Sequence, residues 1–132
     1  MLTALLFLIS GQPAMAAPQA SCTVVDGDTL RCGSERVRLL GIDAPELPGH
    51  CQAGRNCVPG DPHASTESLR SAMALGPITI RRLGKDRYGR TLALVRAGQT
   101  DLSCWQVSHR QATYKPQWDT GGQLASICPA AR

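Results

Sequence analysis

The sequence predicts a small, mainly β domain with two short helices. Three features carry that prediction. Closely spaced β-prone runs separated by turn residues lie between Cys22 and Ile42. A helical pattern opens at Asp61-Pro62 and stops at Gly76-Pro77. Two further alternating runs centre on Ile78–Ile80 and Leu92–Leu94.

Taken in order, Cys22 to Val25 forms the first strand, Asp26-Gly27-Asp28 a turn, and Thr29 to Cys32 the second strand. If Val25 faces Thr29, the same register sets Cys22 opposite Cys32, close enough for a cross-strand disulfide. Gly33-Ser34-Glu35 turns the chain into a third strand over Arg36 to Ile42. A loop rich in Pro and Gly, Ala44 to Gly60, follows. Asp61 is a good N-cap acceptor, Pro62 suits the first helical position, and Leu69, Ala72 and Met73 give an i, i+3, i+4 stripe. The fourth and fifth strands, around Ile78–Ile80 and Leu92–Leu94, are joined by Leu83 to Arg90. Asp101 can cap a second helix through about His109. Ala112 to Lys115 is extended, and the tail is irregular apart from a turn of helix near Leu124. Five strands with a helix between the third and fourth is the element order of an OB-fold, a five-stranded barrel that often binds oligonucleotides.

The chain of 132 residues suffices for one modest core. Residues 1–16 read as a signal peptide: the uncharged apolar run MLTALLFLIS leads to Ala14-Met15-Ala16, with cleavage expected after Ala16. The run is too short to span a bilayer, so no stable membrane association is expected after cleavage. Residues 17–21 make a short N-terminal segment, and 22–132 the folded domain. All six cysteines follow the cleavage site, which in an exported domain implies three disulfides. Nearness in sequence favours Cys22–Cys32, Cys51–Cys57 and Cys104–Cys128. The expected location is the periplasm or the medium. The net charge of +4 falls entirely outside the first 20 residues. It suits a polyanionic partner but is equally a solubility feature. A monomer is expected, because no extended apolar face is left over.

Four segments carry chemistry. Asp26-Gly27-Asp28-Thr29 is a common hairpin turn when taken alone. It is not an EF-hand, because counting from Asp26 the sixth and twelfth positions are Arg31 and Val37 rather than Gly and Glu. The run Arg38-Leu39-Leu40-Gly41-Ile42-Asp43-Ala44-Pro45-Glu46 ends a strand in two carboxylates spaced by Ala-Pro, and Pro45 biases Ala44 to an extended shape that can aim both into one space. Asp28 and Asp43, at neighbouring strand ends, could meet around a hard cation; a solvated acidic loop facing Arg36 and Arg38 is the plainer alternative. Asp86-Arg87-Tyr88-Gly89-Arg90 offers guanidinium forks for phosphate and an aromatic face for a base, or else a charged turn guarding a sheet edge. Tyr114-Lys115-Pro116 with Trp118 forms either a stacking and phosphate-contacting rim or a half-buried wrap.

Together VVDGDT, RLLGIDAPE and DRYGR, in this order from about Cys22 to Trp118, resemble the staphylococcal nuclease (thermonuclease) family. The resemblance implies an OB-fold hydrolase that cuts DNA and RNA with Ca2+. It implies metal binding by Asp28, Asp43 and the Ala44 backbone carbonyl, water activation by Glu46, and phosphate clamping by Arg38 and Arg90. Nucleotide contacts are implied for Arg87, Tyr88 and Tyr114, with Lys115 beside them. The chain departs from that pattern in three places. Ala44 stands where the best-known member has threonine, the C-terminal helix is cut short, and the Cys51–Cys57 loop has no counterpart there, which bears on substrate access. Two other functions compete: a catalytically silent nucleic-acid-binding OB module, and a structural zinc site on His50, Cys51, Cys57 and His63. His109 is expected on the solvent side of its helix, with no catalytic role.

Overall fold

The computed structural model describes residue 11 and residues 21–132. The expected leader over residues 1–16, apart from Gly11, and the segment 17–21, apart from Ser21, lie outside these residues. The chain enters as an antiparallel meander of β1 (Cys22–Asp26), β2 (Thr29–Cys32) and β3 (Glu35–Leu39). A two-residue strand β4 (Ile42–Asp43) follows, then α1 (Pro62–Met73), β5 (Ile78–Lys85) and β6 (Thr91–Ala97). A short β7 (Thr100–Asp101) leads into α2 (Leu102–Ser108), then β8 (Thr113–Tyr114) and α3 (Gln123–Ile127).

The architecture is mainly β with short helices, as the sequence predicts, but the strands do not form a closed barrel. They form a six-stranded sheet in the order β1-β2-β3-β6-β5 with β7 on β6, beside a two-stranded ladder of β4 and β8. The β3–β6 pair is parallel and its neighbours antiparallel. The edges β1 and β5 are not hydrogen-bonded to each other. Periodicity shows which strands exist; closure depends on which distant edges meet, and local pattern does not encode that.

Two local expectations also change. Cys22 faces Cys32, but Asp26 rather than Val25 pairs with Thr29, because the register shifts between Val24 and Asp26. Val25 is the extra residue of a β-bulge, and the bulge aims the following turn. The predicted third strand through Ile42 breaks after Leu39. Gly41 adopts φ 76°, a conformation glycine takes at little cost, and the chain turns out of the large sheet so that Ile42 pairs with Tyr114.

The helices start where their caps predict. The Asp61 carboxylate accepts from the His63 and Ala64 amides, and Asp101 accepts from the Cys104 amide. Leu69 and Ala72 of α1 are fully buried against Leu30, Val37, Leu39, Ile42, Val95, Leu102 and Leu124. Disulfides join Cys22 to Cys32, Cys51 to Cys57 and Cys104 to Cys128. The second bridge rules out the zinc alternative, since Cys51 and Cys57 hold each other. The third ties the tail beyond α3 to α2.

Candidate active site

The centre of the site is the turn between β1 and β2. Gly27 sits where no side chain fits: a Cβ there would stand 1.9 Å from the Ser65 hydroxyl of α1 and 2.8 Å from the Ala44 Cβ. That close approach presses the turn against the helix and against the strand end beyond β4. The Asp28 amide donates to Asp26 Oδ1 at 3.2 Å, an Asx-type bond that shapes the turn. Asp28 then reaches across to Ala44, whose amide donates to Asp28 Oδ2 at 2.8 Å. The RLLGIDAPE run and the DGD turn, 16 residues apart, are thus tied together directly.

Arg38 joins the two buried aspartates. On β3 it is only 7% exposed, with Nη1 3.2 Å from Asp28 Oδ2 and Nη2 3.7 Å from Asp43 Oδ1. The Trp118 ring lies 5.7 Å from its guanidinium carbon, a cation–π distance. Asp28 and Asp43 are 5% and 2% exposed. Burial, and then the charge of Asp28, push the Asp43 carboxyl above its usual range, while Arg38, Arg55 and Lys115 pull it back. Asp26 is pushed up to about 7, first by burial and then by Asp28. Like charges crowded in a poorly solvated place raise each other's pKa, and a bound cation relieves that strain.

Arg55 completes the cluster and was not among the residues singled out by sequence. From the Cys51–Cys57 loop, its Nη1 lies 3.0 Å from Glu46 Oε1 and its Nη2 3.4 Å from Asp43 Oδ1. Glu46 therefore joins the aspartates through this guanidinium. The signal was present in the chain, since Arg55 is the only Arg or Lys between Arg38 and Arg70. Asp26, read only as part of a turn, also belongs to the acidic group.

The remaining candidates make other contacts. Arg90 is engaged by Asp86, with Nε 2.7 Å from Oδ2, and makes no ion pair with Asp28, Asp43 or Glu46 among the described residues. Arg87 and Arg90 flank the exposed Tyr88 ring at 5.0 and 5.4 Å, and Arg87 donates to the Tyr88 hydroxyl. The Tyr114 hydroxyl donates to Asp119 Oδ2 at 2.7 Å, which leaves Trp118 as the aromatic ring against Arg38. The Lys115 amide donates to the Gly41 carbonyl, which holds the strand beside Asp43. His109, exposed, stacks on Trp105 with ring centroids 3.8 Å apart.

An acidic group of this kind offers hard oxygen donors. No three His, Cys, Asp or Glu side chains among the described residues gather closely enough to hold a metal ion by themselves. A hard cation such as calcium takes backbone carbonyls and water besides carboxylates.

No family model matches the chain. It is similar to a protein named as an endonuclease. That protein, an uncharacterized endonuclease of Haemophilus influenzae, is 36% identical over 121 residues, which cover 85% of this chain and 62% of the relative. The succinoglycan biosynthesis protein ExoI of Rhizobium meliloti is 30% identical over 112 residues, covering 83% of this chain and 58% of that protein. The chain spans about three-fifths of the length of these curated relatives.

Proposed function

We propose that this chain is a calcium-dependent phosphodiesterase of the staphylococcal nuclease type that hydrolyses DNA or RNA, on an OB-type strand order left open between β1 and β5. The observation that carries the reading is Arg38 spanning Asp28 and Asp43, two buried carboxylates from separate segments. The similarity to a protein named an endonuclease supports it. The three disulfides suit an oxidising, exported setting, and among the described residues no helix is long and apolar enough to cross a membrane.

In this reading Asp28, Asp43 and the Ala44 carbonyl hold the ion. When bound, it supplies Lewis acidity toward a phosphate oxygen. Glu46 takes the proton of the attacking water. Arg38 holds the phosphate and stabilises the charge that grows in the transition state. Because an arginine stays protonated, its contribution is electrostatic. Arg90 acts as a second phosphate contact once it exchanges Asp86 for substrate, and Tyr88, flanked by Arg87, offers a ring for a base.

One observation favours a second reading, a binding module without catalysis: the Arg90 guanidinium is satisfied by Asp86 rather than aimed at the carboxylates. A single assay separates the two. Single-stranded DNA is incubated with the protein in calcium and then in chelator, beside Glu46→Ala and Arg38→Ala. Cleavage that survives chelation and both substitutions means the site is misassigned, while retention of DNA without cleavage favours the binding module.

A further inference from the structure

The alternation of β2 and β3 puts more arginine on the Arg38 side of the sheet than the site uses. Thr29 pairs with Arg38 and Arg31 with Arg36, while Leu30 and Val37, paired between them, are fully buried in the core. Directly paired residues share a face, and so do residues two apart on one strand. Arg31 and Arg36 therefore project from the same face as Arg38, and both are exposed. Arg38 also pairs with Leu92 of the parallel strand β6, which begins at Thr91, just after Arg90.

The Arg31–Arg36 pair has a cost. Like charges directly opposite each other across two strands are destabilising, and neither arginine forms an ion pair among the described residues. A face that is merely solvated gains nothing from that placement. Beyond Arg31, at the β2–β3 turn, an open cleft of about 480 Å3 is lined by Thr23, Arg31, Gly33, Glu35 and Arg82. Its carboxylate, Glu35, is already taken by Arg82, with contacts of 2.7 and 2.9 Å. Arg31 is left as the unneutralised charge at the cleft.

We propose that Arg36 and Arg31 form a phosphate track that runs from Arg38 to this cleft and holds the stretch of a single-stranded nucleic acid beyond the bond being cut. The inference rests on the nuclease reading and extends it from one phosphate to a longer strand. Proteins that bind single strands without sequence preference commonly line a groove with positive charge along the backbone. The opposed arginines relieve their mutual repulsion when phosphates lie between them.

The test is the salt dependence of binding. An oligothymidylate of about 12 nucleotides, within the site sizes of single-strand binders, is titrated by fluorescence anisotropy under chelation from about 50 to 200 mM salt. Wild type is compared with Arg31→Gln/Arg36→Gln and with a charge-matched control, Arg70→Gln/Arg96→Gln, from other surfaces. Each lost phosphate contact on a single strand lowers the log–log salt slope by about 0.7, so the track variant should lose about 1.4 in slope and bind several-fold more weakly at low salt. The control should keep the wild-type slope. Equal losses in both variants, or none in the track variant, overturn the track. So does a wild type that cleaves with calcium yet holds no strand under chelation. A wild type that neither cleaves nor binds overturns the nuclease reading itself.

Discussion

The side-chain amide of Gln106 donates a 2.8 Å hydrogen bond to the carbonyl of Gly27, 79 residues earlier in the chain. The same nitrogen donates to the Ser65 carbonyl at 2.9 Å. Gln106 is fully buried, and its Oε1 has no partner among the described residues. One α2 side chain therefore pins the turn that carries Asp26 and Asp28 to the helix α1. The acidic group is held from behind by an amide with no role in chemistry.

That bond predicts the effect of Gln106→Leu. The substitution keeps the volume but takes the side-chain donor from the buried Gly27 carbonyl, a loss of about 1–3 kcal/mol, partly offset by removing the unpartnered Oε1; the Ser65 carbonyl, inside α1, keeps its helical donor. Urea unfolding should show that loss, and calcium titration should show weaker binding as Asp28 shifts. Unchanged stability together with unchanged calcium affinity would mean that the turn is positioned by Gly27 and Ser65 alone.

Much of the fold was legible because it is local. The caps Asp61 and Asp101, the stripe of Leu69 and Ala72, and the Cys22–Cys32 register follow from neighbours in sequence. Three features were not legible, for physical reasons. The bulge at Val25 changes the pairing by one residue without altering composition. The open sheet depends on long-range pairing between edges. Arg55 reaches Asp43 and Glu46 only because the Cys51–Cys57 loop folds back over the site, and no spacing rule gives the direction of a loop. Arg38 spans Asp28 and Asp43 although Asp43 lies on β4, in a separate ladder with β8, and not on a continuous third strand as expected, whereas the Arg90–Asp86 pair shows how a nearer carboxylate can claim a guanidinium first.

Arg38→Gln should unfold more easily when no cation is present. It removes the charge that answers two carboxylates, each at most 5% exposed. Breaking one partner of a buried ion pair costs about 3–5 kcal/mol. Added calcium should restore part of that loss, so the calcium-induced rise in Tm should be larger for the variant than for wild type. Calorimetry with and without chelator measures both quantities, and equal calcium-induced rises would detach Arg38 from the cation site.

Acid stability should depend on Glu35. Hydrogen bonds from Arg82 and then Thr91 hold its carboxyl down at about 2, against an ordinary value of 4.5. A depressed carboxylate stabilises the fold above its unfolded pKa, and the contribution is lost as pH falls through the folded value. Thermal melts of Glu35→Gln and wild type should differ by a constant small amount at neutral pH. The gap should narrow below pH 4.5 and close near pH 2. A gap that stays constant down to pH 2 would show that the ion pair contributes nothing through ionisation.

Arg55→Ala tests what the disulfide loop does to the carboxylates. Its guanidinium is bound to Asp43 and Glu46, yet its side chain is 40% exposed, so solvent already screens much of the attraction. A cation arriving at Asp43 must displace this contact or share the carboxylate with it. Removing Arg55 should therefore tighten calcium binding, by about two- to fivefold if an exposed pair is worth up to about 1 kcal/mol. Isothermal titration separates this from an effect on hydrolysis. Tighter binding with slower cleavage would give Arg55 a second role, contact with the substrate phosphate after it leaves the carboxylates. Weaker binding would reverse the argument, because it would mean that the guanidinium holds Asp43 and Glu46 in the geometry the ion requires.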